Sequence, residues 1–256
     1  MSFRNERFLA IAESHKIQNN FCEIPLRTSF GMTACFYKKI ISFTFVFVCL
    51  IATSYAQKSD KSFFTVAKYG IQLSQGNENN FLFDDADYFY RTNTVKGQFY
   101  FPITKLKTME VSLILEPQIQ FVKHQLYNEQ FVRPEEDNYI EKRQRFTRLK
   151  NLSITAVEFT LEAKQQLCKN LSIFLQAGLG FSYIDTETER LAKGFTFIEN
   201  GNIGLDLQLN NKISIQLFGG VGHVSNFNFQ MPNSGYNIFS TGFGVQYAIK
   251  IRKRKF

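Results

Sequence analysis

Between residues 63 and 249 the chain alternates apolar and polar side chains with a period of two, eight times over, and shows little of the 3.6-residue period of a helix. A period of two is the mark of a strand with unlike faces. It is clearest over residues 109–121, where Met109, Val111, Leu113, Leu115, Ile119 and Phe121 stand against Glu110, Ser112, Glu116, Gln118 and Gln120. The same alternation predicts strands over residues 63–73, 94–101, 153–164, 171–183, 194–209, 213–222 and 238–249. The links between them run long, short, long, short, medium, short, medium. An even number of strands, each about ten residues long, with short turns on one side and longer loops on the other, fits a barrel that spans an outer membrane. The apolar face draws on a chain with 29 Phe, 11 Tyr and no Trp, which suits lipid and its interfaces. The other face carries Gln, Glu, Lys and Asp, which suits a small hydrated or salt-bridged lumen. A soluble lipocalin-like barrel, with its apolar face turned inward, is the competing arrangement.

The N-terminal region supports export. From Met32 a basic flank (Lys38, Lys39) leads into an apolar run over residues 40–52 and then Ser54-Tyr55-Ala56. That order is a secretory signal peptide over residues 32–56, cleaved after Ala56; the run is short for a membrane-anchoring helix. Residues 1–31 read as a mis-called start or an unstructured segment, which leaves 57–256 as the barrel. The fold class is therefore all-β, an eight-stranded antiparallel outer-membrane β-barrel after a cleaved signal peptide. Removing the leader lowers the net charge from +8 to +5 and leaves Cys168 as the lone cysteine, so no intramolecular disulfide holds the mature fold. The chain ends on Phe256 after a basic run. That ending resembles the C-terminal aromatic of bacterial outer-membrane barrels and implies the outer-membrane assembly machinery as a partner. Export and the flanking strand set the basic run apart from a nucleic-acid patch.

No phosphate-binding loop, nucleotide motif or metal-ligand cluster occurs in the sequence, and His124, expected in a loop, carries no assignment. Chemistry is concentrated between residues 223 and 237. His223 and Ser225 lie two apart, so on a strand they share a face at about 6.5–7 Å between Cα atoms. A base within reach of a hydroxyl is the minimal unit of nucleophilic catalysis. Both have the parity of Ile213, Ile215, Leu217 and Val221, which puts them on the lipid side at the outer end of the seventh strand. A polar pair there is costly unless it is partnered or interfacial.

The run His223-x-Ser225-Asn226, followed by Pro232-Asn233-x-Gly235, resembles the bacterial lipid A 3-O-deacylases, a family of acyloxyacyl hydrolase-like outer-membrane proteins. The resemblance is densest over residues 195–247. It implies an eight-stranded barrel with its site on the lipid-facing wall, a metal-free esterase without cofactor, and lipid A or lipopolysaccharide of the outer leaflet as substrate. It further implies that Ser225 is the nucleophile and His223 its base, with Asn226 and Asn233 shaping the oxyanion site or its loop. One position departs from the family. Its acid is a Glu about a dozen residues after the serine, where this chain has Tyr236 and Asn237, and no Asp or Glu occurs from His223 to Phe256. Asn237 could orient the imidazole as a neutral acceptor. Counting back through a tight turn at 210–212 sets Glu199 opposite His223 on the outward face, which makes Glu199 a hypothetical replacement acid. The competing functions are a non-catalytic structural or adhesive barrel, including a family member that has lost its activity, and a soluble lipid carrier. The sequence leaves a homodimer open.

Overall fold

The computed structural model describes residues 65–83 and 85–249. The segments read as an upstream extension and a signal peptide, and the terminal Phe256, lie outside them. Eight antiparallel strands close into a barrel, each paired with its sequence neighbours and the last with the first. They are β1 (Lys68–Asn77), β2 (Tyr88–Leu106), β3 (Met109–Leu126), β4 (Lys150–Cys168), β5 (Leu171–Ile184), β6 (Gly194–Gln208), β7 (Ile213–Ser225) and β8 (Tyr236–Ala248). A short helix α1 (Tyr139–Phe146), preceded by a 3-10 turn at Glu129–Phe131, sits in the link between β3 and β4. Among the described residues no helix is long and apolar enough to cross a membrane.

The apolar row of each strand points outward. Ile71, Val95, Phe99, Phe121, Phe159, Leu175, Leu205, Leu217 and Val245 are all exposed. Side chains of this kind left out of the core need a non-aqueous surround, as a membrane supplies. The inward row is polar and internally paired. Lys96 Nζ lies 2.7 Å from Glu158 and 3.5 Å from Glu116, and Gln118, Asn200, Gln98 and Thr160 donate to the same two carboxylates. A second knot joins Lys164 to Asp206 at 2.6 Å. Buried carboxylates stay charged only with such partners. Glycines on this face give them room: a Cβ on Gly178 would collide with Glu158 Oε1.

Several strands extend beyond the predicted segments at the outer end. β2 starts at Tyr88 rather than 94, β3 continues to Leu126, and β4 starts at Lys150. There the faces exchange character. Inward positions become apolar and buried (Tyr88, Tyr90, Val122, Leu126, Leu152, Ile154, Ile184, Val224, Tyr236, Ile238), joined by Val132, Phe146 and Leu191 from the loops. Outward positions become polar (Arg91, Asn93, Lys123, Asn151). The lumen expected to be polar throughout is thus polar at membrane depth and closed by an apolar cap above it. His124, expected in a loop, is on β3 and fully buried inside this cap, 2.9 Å from the Glu189 carboxylate.

Candidate active site

Three neighbouring strands bring the site together. Ladder pairing sets Glu199 on β6 opposite His223 on β7, and His223 opposite Asn237 on β8. Residues directly opposite in an antiparallel pair project from one face with Cβ atoms about 4.5–5.5 Å apart. Since Val221 and Phe243, at the same parity, are exposed, this row faces outward, with Leu179 of β5 next in line. His223 Nδ1 donates to Asn237 Oδ1 at 2.7 Å. An amide oxygen only accepts, so Nδ1 carries the proton of this contact.

Ser225 is one strand repeat further out, paired with Phe197. It shares the outward parity, yet only 7% of it is exposed, because the loop 226–235 folds over the end of β7. That loop is braced by its asparagines. Asn226 N–H donates to Asn233 Oδ1 at 2.7 Å, Asn226 Nδ2 donates to the Gln230 carbonyl at 2.7 Å, and Asn228 N–H donates to Asn226 Oδ1 at 3.1 Å. Asn233 Nδ2 in turn donates to Asn228 Oδ1 at 3.1 Å. Both asparagine side chains are therefore engaged within the loop, tying its start to its finish.

Gly235 closes the loop with φ of 64°, in the left-handed region that glycine enters at little cost. Its Cα faces the imidazole: a Cβ built there would stand 3.0 Å from His223 Cε1, 3.2 Å from Nε2 and 2.7 Å from the Val224 carbonyl oxygen. Any other residue would push against the ring on the side of Nε2. The loop 185–193 lies across the same loop, with Leu191 bridged to Asn233 and Ala192 N–H donating to the Pro232 carbonyl at 3.0 Å.

Beside Ser225 lies a run of aromatic rings. Phe197 packs edge-on against Phe227 at 4.5 Å between centroids and against Phe195 at 4.8 Å. Phe181 and Phe229 extend the run on either side of Phe197. Phe229 and Met231, at the crest of the loop, are 73% and 77% exposed. Sequence periodicity accounts for Phe181, Phe195 and Phe197 as members of the apolar rows. It gave no sign that Phe227 and Phe229 join them, because loop residues follow no period. Among the described residues no group of three or more His, Cys, Asp or Glu is placed to hold a metal ion.

Comparison with known proteins bears on this same region. Residues 124–246 match the family described as lipid A 3-O-deacylase (PagL), a span that holds Glu199, His223, Ser225, Asn237 and the whole covering loop. No curated protein matches the chain in sequence. Among solved structures it is similar to the outer membrane enzyme PagL, with a TM-score of 0.46 and 12% identity over 70% of this chain and 99% of that one. It is also similar to Neisserial surface protein A, with a TM-score of 0.37 and 9% identity over 71% of this chain and 96% of that one. A third is Ail of Yersinia pestis, at 0.32 and 12% over 72% and 100%. Over its site-bearing strands, this outer-membrane β-barrel is thus similar to the family described as lipid A 3-O-deacylase (PagL).

Proposed function

We propose that the protein removes the ester-linked acyl chain at the 3 position of lipid A in the outer leaflet, with Ser225 as nucleophile and His223 as general base. The observation that carries this reading is the outward row Glu199–His223–Asn237 with Ser225 one strand repeat above it, all within the family match. Ser225 Oγ gives its proton to His223 Nε2 and attacks the ester carbonyl. The tetrahedral intermediate collapses as the imidazolium returns that proton to the departing 3-oxygen of the sugar, leaving a free hydroxyl and an acyl-serine. Water then repeats the cycle from the other side: His223 takes its proton, the hydroxide adds to the acyl carbonyl, and the fatty acid leaves as Ser225 is reprotonated.

Asn237 orients the ring by accepting from Nδ1. Being neutral, it cannot offset the imidazolium charge, and in a serine-protease triad the same acid-to-amide change costs about 10⁴ in kcat. Glu199, on the other flank of His223, supplies the negative charge instead. The aromatic run from Phe181 to Phe229 offers the scissile acyl chain an apolar bed continuous with the membrane. The substrate reaches the site sideways from the leaflet.

Mass spectrometry of lipid A from cells with and without the protein tests this. The expected result is a population of lipid A lighter by one 3-linked hydroxyacyl chain, absent with Ser225→Ala and with His223→Gln. Unchanged lipid A in cells that carry the folded wild-type barrel in their outer membrane overturns the proposal and favours a structural or adhesive barrel.

A further inference from the structure

All four outer loops meet at one side chain outside the proposed catalytic group. Arg190 lies in the loop between β5 and β6. Its guanidinium is held between two rings, 3.9 Å from the centroid of Tyr88 at the start of β2 and 4.8 Å from that of Phe131 in the β3–β4 link. Nη2 donates to Asp85 Oδ2 in the β1–β2 loop at 3.0 Å, and Nη1 reaches the Gly235 carbonyl in the β7–β8 loop at 3.5 Å. The main chain of the same residue completes the grip: the Arg190 carbonyl accepts the N–H of Ser234 at 2.8 Å and of Gly235 at 3.3 Å.

Gly235 is thus held at both its N–H and its C=O by a single residue. It is also the glycine whose Cα abuts the His223 ring at Cε1 and Nε2. The Arg190 side chain is only 14% exposed. A planar guanidinium withdrawn from water, stacked on two aromatic faces and hydrogen-bonded at its fork, is a rigid strut that an ammonium on a flexible stem cannot replace. Loops with no such strut move on the nanosecond-to-microsecond scale, and a loop that touches a catalytic ring passes that motion to it.

We propose that Arg190 is a positioning residue for His223: by clamping Gly235 against the imidazole it sets the angle at which Nε2 meets Ser225. This rests on the reading of His223 as the general base. A mere staple of the loops would hold the cap together and leave the ring indifferent, and the two roles separate experimentally.

The full barrel in detergent micelles is labelled with ¹³C at histidine Cε1. The chain has three histidines, His15, His124 and His223, and His223→Gln assigns the resonance of interest. In Arg190→Gln the His223 signal and its pH titration are expected to move, and Arg190→Lys is expected not to restore them, although it keeps the charge. Asp85→Asn, which leaves the guanidinium but removes its carboxylate partner, gives a smaller displacement in the same direction. With lipid A as substrate, kcat falls by about 10- to 100-fold, the scale of an ångström-sized misplacement, while KM is unchanged. A His223 resonance and titration identical to wild type in both Arg190→Gln and Asp85→Asn overturn the proposal, whatever those variants do to stability. The ring signal reports on Arg190 even where the wild-type barrel deacylates nothing, so failure of the enzymatic reading and failure of this one remain distinct.

Discussion

Asn237 is where the site departs most from the family it resembles, and its geometry says what the departure costs. The side chain accepts the Nδ1 proton at 2.7 Å, so it does the orienting half of an acid's work. It lacks the charge that favours an imidazolium over an imidazole. Glu199 stands directly across the other ladder, so on the proposed reading the charge and the orientation come from different residues. Asn237→Glu is therefore expected to raise kcat on lipid A in mixed micelles by at least about 10-fold. Glu199→Gln is expected to lower it strongly in the native background and only weakly in the Asn237→Glu background, which a double-mutant cycle measures. Equal effects of Glu199→Gln in both backgrounds would show that Glu199 is a bystander. The juxtaposition of Glu199 and His223 was legible in the sequence, because a ladder counted from the turn at 210–212 has no freedom once one pair is set. The contacts of Gly235 with the ring and of Arg190 with Gly235 were not. Both residues sit in loops, where neither parity nor register constrains what touches what.

At the scale of the strand, the useful lesson lies in β3 and β4. The inward–outward alternation runs on through the outer halves of Met109–Leu126 and Lys150–Cys168, but its meaning reverses there. At membrane depth, Glu116 and Glu158 are inside and Phe121 and Phe159 outside; above it, Leu126 and Leu152 are inside and Lys123 and Asn151 outside. A strand leaving lipid for water must present polar side chains outward, and a narrow barrel then closes by packing apolar ones inward. A search for apolar side chains on a single parity stops where the exchange occurs. That is why the strands predicted over 109–121 and 153–164 stop short and the link between them counts as long, while strand number, order and facing at membrane depth are legible from the same rule. The outer extensions are full ladder, as the pairing of Tyr90 with His124 and of His124 with Lys150 shows. Their amides should consequently exchange with solvent as slowly as those of the membrane-embedded strand, although no lipid covers them. Hydrogen exchange over residues 88–93 and 150–155 in micelles checks this; rapid exchange there would mean that the extensions fray.

For the molecule as a whole, the cap adds a pH dependence of its own. Burial holds the His124 imidazole below its ordinary 6.5, against the opposing pull of Glu189 and in concert with Lys150 and Arg190. The folded protein therefore keeps this ring neutral while the unfolded chain protonates it, so the unfolded state binds more protons as the pH drops. Stability from this group is complete above about 6.5 and is lost as the pH falls below it. Urea unfolding in liposomes between pH 8 and pH 5 should show the wild type losing ground to His124→Gln as the pH falls, and parallel curves would exclude the effect. Under the proposed function, the outward setting of Glu199, His223 and Asn237 also bears on kinetics. A catalyst whose mouth opens within the plane of a leaflet meets its substrate by lateral diffusion, so its rate is governed by molecules per unit of membrane area rather than per unit volume. Crowding of the leaflet by other lipids then becomes the variable that sets turnover.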